Sequence, residues 1–110
     1  MPQYYVEVED RVWRYLARLP SDIRHQFARR MSELKLGVFG HKRLSDAFPY
    51  ELWEFKLAGY RTYYVTYKGV ISVSQIVYDG STYVYAVGTK NSQRYDVREG
   101  LSYIRKKQNN

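Results

Sequence analysis

The chain has 110 residues, no Cys, two His and a formal net charge of +7 from 18 basic and 11 acidic side chains. That length makes one domain, residues 1–110, and the missing thiols and sparse histidines exclude disulfides and the usual zinc sites, so no metal or other cofactor is expected. The start, MPQYYVEVED, lacks a signal-peptide pattern and no apolar run reaches membrane-spanning length, so a cytoplasmic location without a membrane partner is expected.

In chain order, QYYVEV reads as a first strand with Tyr4, Val6 and Val8 on one side. A helix follows on the stripe Val12, Leu16 and Leu19, with Arg11, Arg14 and Arg18 off it. LPSD separates it from a second helix for which Ser21 is the expected N-cap. Ile23, Phe27, Met31 and Leu34 form the second stripe, and Gly37 suits a left-handed stop. The two helices read as an antiparallel hairpin.

Residues 38–50, VFGHKRLSDAFPY, read as a loop. Four β-rich runs come next, at 51–57, 60–67, 70–78 and 81–88, broken by Ala58-Gly59, Lys68-Gly69 and Asp79-Gly80. Each break ends in Gly, which accepts the positive φ of a two-residue hairpin turn. A third helix starts near Ser92 with Val97, Leu101 and Ile104 on one face. Gly100 weakens that helix by roughly 1 kcal/mol relative to Ala unless it permits close packing.

Two-residue hairpins throughout would fix the register, placing Leu57 opposite Tyr60 and Lys56 opposite Arg61. One face then carries Trp53, Phe55, Leu57, Tyr60 and Tyr64, continued by Ile71, Val73, Val77, Val84 and Ala86, and the helices can cover it. The other carries Glu54, Lys56, Arg61, Tyr63 and Tyr67, continued by Ser72, Ser74, Tyr83 and Tyr85. Opposed like charges cost stability unless an anion intervenes, and either Glu54 or a bound phosphate can supply it. A solvated face with edge-protecting charges is the competing reading.

The whole pattern, and above all LWEFKLAGYRTYYVTY followed by YAVGTKNSQRYDV, resembles the RelE/ParE superfamily of type II toxin–antitoxin toxins, with RelE/HigB-like members nearest in kind. The resemblance implies an α+β, two-layer fold of order β-α-α-β-β-β-β-α. In it an antiparallel five-stranded sheet has its first strand beside the last, a helical hairpin lies on one face, and a helix ends the chain. It also implies a ribosome-dependent mRNA endoribonuclease that inhibits translation, acting on ribosome and mRNA, and held by a cognate antitoxin in a toxin–antitoxin hetero-oligomer. ParE-type relatives keep the scaffold and poison DNA gyrase instead, which is the alternative.

The family's catalytic positions fall on Lys56, Arg61, Lys90 and Tyr95, with Glu54 where RelE itself often has a second strand cation. Metal-independent RNA cleavage uses the ribose 2′-hydroxyl and needs a base, cations for charge building on phosphorus, and an acid for the leaving oxygen. Glu54 is a candidate base with Lys56 the alternative, and Arg61 can grip phosphate through its fork. Lys90 can act as a point charge, and Tyr95 as acid or stacking platform. The loop cluster His41, Lys42 and Arg43, together with Tyr63, Tyr85 and Arg94, is the candidate RNA-binding set.

Overall fold

The computed structural model describes residues 2–37, 39–40 and 42–109. The elements are β1 (Tyr4–Val8), α1 (Asp10–Leu16), α2 (Ser21–Leu34), β2 (Lys42–Ala47), β3 (Tyr50–Leu57), β4 (Tyr60–Tyr67), β5 (Ile71–Val73), β6 (Ile76–Tyr78), β7 (Gly80–Gly88) and α3 (Gln93–Gln108). A short 3-10 turn, Lys90–Ser92, joins β7 to α3. Five strands form one sheet in the order β1-β7-β4-β3-β2. The first strand does lie beside the last, but β1 runs parallel to β7 while the other pairs are antiparallel, so the sheet is mixed.

The β3–β4 hairpin has the expected register: Leu57 opposite Tyr60, Lys56 opposite Arg61 and Glu54 opposite Tyr63. Its turn has positive φ at both Ala58 (54°) and Gly59 (84°), the twist that matches two antiparallel strands. The helical stripes also hold. Val12, Leu16, Phe27, Met31 and Leu34 pack with Phe55, Tyr64 and Val84 into one core, flanked by Leu19, Ile23, Trp53, Leu57 and Tyr60. The second helix ends as expected, with Gly37 at φ 76°. Its start differs: Ser21 is the first helical residue, Pro20 precedes it, and no side chain caps the free amides.

Three further expectations are corrected. Within residues 38–50, positions 42–47 form the edge strand β2. Its charges and a register shift between Arg43 and Ser45 hide the two-residue alternation that marks a strand. Residues 70–78 do not join the main sheet. They fold on themselves as the β5–β6 hairpin, turning at Ser74 and Gln75, both at positive φ. Ile71, Val73 and Val77 therefore leave the predicted core, and Val77 is 64% exposed. Between β4 and β7, a bulge after Tyr63 sets Tyr63 against Ala86 and Tyr64 against Val84. Ala86 thus moves to the face that carries Tyr63 and Tyr85.

That second face is not open. Leu52, Tyr63, Val65, Tyr85 and Ala86 form a second core closed by Ile104 of α3. The molecule therefore has three layers, helical hairpin, sheet and α3, in place of the expected two. Gly100 makes this possible, since a Cβ there would meet Leu52 Cδ1 at 2.6 Å and Tyr85 Cζ at 2.9 Å. No described helix is long and apolar enough to cross a membrane.

Candidate functional site

Closure by α3 changes the setting of Glu54. Its side chain is 1% exposed, and both carboxylate oxygens are engaged. Arg61 Nη1 donates to Oε1 at 3.1 Å, and Gln93 Nε2, from the first turn of α3, donates to Oε2 at 3.0 Å. A buried carboxylate needs such partners, because desolvation without them costs several kcal/mol. Sequence reasoning offered Glu54 as a base. In the fold it is buried, and its two oxygens are held by Arg61 and Gln93.

Arg61 is itself only 15% exposed at its side chain. It lies opposite Lys56 on β3 and Gly88 on β7. Leu57 and Tyr60 flank the turn, and Lys56–Arg61, the next pair along, is of the non-hydrogen-bonded kind whose side chains approach more closely. Lys56 is exposed, and exposed Lys90 follows Gly88 by two residues in the 3-10 turn. Three cations thus gather at one end of the sheet, with the central one braced by Glu54. The like-charge opposition read from the sequence is relieved from within the protein.

The remaining expected residues are dispersed. Tyr63 and Tyr85 are fully buried beneath α3, so neither ring presents a face to a base. Burial is the main cause raising both tyrosine pKa values, and for Tyr63 the nearby Glu54 carboxylate adds to it. Among the described residues the buried Tyr63 hydroxyl has no hydrogen-bond partner. Tyr85 donates to the Asp96 carbonyl at 2.7 Å. Arg43 is committed to Asp46 at 3.5 Å and Glu51 at 3.3 Å, whereas Lys42 is exposed and stands opposite Glu54 on the sheet edge. His41 lies outside the described residues. Arg94 is exposed on α3.

Tyr95 is 72% exposed, two residues past Gln93, and hence on a different flank of α3 from the contact with Glu54. It lines a cleft with Arg11, Arg98 and Tyr103. Sequence reasoning missed Gln93 entirely. Its contact with Glu54 spans 39 positions, and no local motif announces it. Among the described residues, no group of three or more His, Asp and Glu side chains could hold a metal ion.

A mixed five-stranded sheet with a helical hairpin on one face and a cationic end defines an α+β class, and known structures place it more narrowly. The chain resembles a chain of the archaeal RelE–RelB complex from Pyrococcus horikoshii OT3, with a TM-score of 0.67 and 16% identity, covering 80% of this chain and 96% of that one. It also resembles a mutant of the E. coli toxin RelE in the free state, with a TM-score of 0.58 and 18% identity, covering 93% and 98%. No protein-family model matches the chain, and no curated protein sequence matches it significantly. The fold is RelE-like.

Proposed function

We propose that this protein is a RelE-like toxin that cleaves mRNA on the ribosome and thereby stops translation. The observation that carries the reading is the cationic end of the sheet, where Lys56 opposes Arg61, Lys90 follows close by, and buried Glu54 braces the Arg61 fork. A guanidinium fixed in orientation can hold phosphate through two parallel hydrogen bonds, while ammonium groups add point charges.

In the reaction, the 2′-oxygen bonds to the adjacent phosphorus as its proton leaves. The bond from phosphorus to the 5′-oxygen breaks, and that oxygen gains a proton. Arg61, Lys56 and Lys90 act on the charge that builds on phosphorus, and prior orientation removes reorganisation cost from this step. Of Glu54 and Lys56, the two candidates for taking the 2′-hydroxyl proton, only Lys56 is exposed. Glu54 is a positioning residue, acting through Arg61.

The solved archaeal relative is a RelE–RelB complex, which supports a protein antitoxin as partner here, within a toxin–antitoxin hetero-oligomer. The net charge of +7 suits an acidic antitoxin segment. Induced expression tests the target. Protein synthesis should halt before DNA synthesis, with mRNA cut inside coding regions. Intact mRNA together with gyrase-linked DNA breaks would overturn this reading in favour of a ParE-like action.

A further inference from the structure

Along the flank of α3 that faces away from Glu54 runs a groove made of two adjoining clefts. The larger, about 600 Å³, is lined by Arg11, Arg98, Lys106, Tyr83, Tyr95 and Tyr103 among others. The smaller, about 310 Å³, shares Tyr83 and Tyr103 with it and adds Tyr50, Tyr67 and Lys107. Tyr83 and Tyr103 stack on each other with ring centroids 4.8 Å apart, forming a saddle between the two. Lys107 Nζ stands 5.5 Å from the Tyr103 ring centroid.

The groove walls are fixed by specific contacts. Arg11 Nε donates to the Tyr85 carbonyl at 2.6 Å, and Arg11 also pairs with Glu99, tying α1 to α3. The Tyr83 hydroxyl donates to Glu9. Arg98, Lys106, Lys107 and Tyr95 remain exposed along the rim. Ring surfaces set between cations match the alternation of base and phosphate in a single nucleic-acid strand. An acidic peptide would use the cations but leave the ring faces without a role. Clefts of about 600 and 310 Å³ lie in the size range that holds a small-molecule or nucleotide-sized group.

We propose that the α3 groove binds a single-stranded RNA segment, with phosphates on Arg98, Lys106 and Lys107 and a base stacked on Tyr95. The groove shares none of its lining residues with the Lys56, Arg61 and Lys90 set. It rests on the RNA-directed reading for the choice of ribose alone, since the groove itself is defined by its own geometry.

The test is binding of a short uridine oligoribonucleotide to the full chain by fluorescence anisotropy, across a salt series, with folding checked by circular dichroism. Tyr95→Ala should weaken binding by about 5-fold or more. The double variant Arg98→Ala/Lys106→Ala should reduce the slope of log affinity against log salt by about 1.4, or about 0.7 per lost phosphate contact. Wild-type affinity and slope in both variants would overturn the inference. So would full RNA affinity in Tyr95→Ala together with efficient displacement of RNA by poly-glutamate, which would mark the groove as a seat for an acidic peptide. A protein that never cuts mRNA yet loses RNA affinity in these variants would defeat the proposed activity and support the groove. Cleavage of mRNA with unaltered binding in both variants would do the reverse.

Discussion

Glu54 and Arg61 are joined at 3.1 Å in a part of the molecule where the carboxylate is 1% exposed and the guanidinium 15%. Removing one member of so enclosed a pair leaves the other charge buried with too few partners, which typically costs about 3–5 kcal/mol. The exposed edge of Arg61 and the remaining Gln93 contact put Arg61→Ala near the lower end of that range. Sequence reasoning alone gives the opposite sign, since deleting one of two facing cations relieves repulsion. Urea denaturation at neutral pH decides between them. A midpoint unchanged or raised in Arg61→Ala would show that the pair contributes nothing to stability.

Gly100 offers a test of the second core. An added methyl group removes the glycine penalty of roughly 1 kcal/mol within a helix. It also drives a Cβ into Tyr85 and Leu52, and overpacking of this kind costs about 1–3 kcal/mol. Strain on the Tyr85–Asp96 hydrogen bond adds about 1 kcal/mol. Gly100→Ala should therefore destabilise the protein by about 1–3 kcal/mol in denaturant titration. A more stable variant would mean that α3 sits farther from the sheet.

The buried tyrosines predict a steep alkaline limit. Burial raises the pKa of Tyr63, Tyr64, Tyr83 and Tyr85 above the ordinary value of 10.0. Below that value both folded and unfolded chains hold these protons, so the groups add no pH dependence. Above it the unfolded chain releases them first, and stability falls as pH rises. Tyrosinate absorbance and far-ultraviolet circular dichroism should show a shared transition above pH 10. Full tyrosine titration near the ordinary value with dichroism intact would contradict the burial.

Much of this fold is legible where local pattern and tertiary packing agree. The stripes Val12-Leu16 and Phe27-Met31-Leu34, the Ala58-Gly59 turn and the Lys56–Arg61 register all follow from short-range rules. What escapes the sequence depends on distant partners. β2 is a strand because β3 offers it hydrogen bonds, despite the polar run KRLSDA. The β5–β6 hairpin leaves the sheet because β7 pairs with both β4 and β1. The bulge after Tyr63 shifts Ala86 between faces without any glycine or proline to signal it. At the site, the cations were readable, but the enclosure of Glu54 depends on α3 folding over a face that reads as solvated.

The central claim concerns the cations at the end of the sheet, and cleavage of a translated mRNA in a reconstituted translation system tests it most directly. Lys56 and Lys90 are exposed, and circular dichroism checks that the double variant Lys56→Ala/Lys90→Ala stays folded. The wild-type chain should cut the message inside its coding region only when ribosomes are present. The double variant should cut it at least ~10²-fold more slowly, since removing even one preorganised electrostatic contact commonly has that effect. An intact message with the wild-type protein, or equal cleavage by the double variant, would contradict the account.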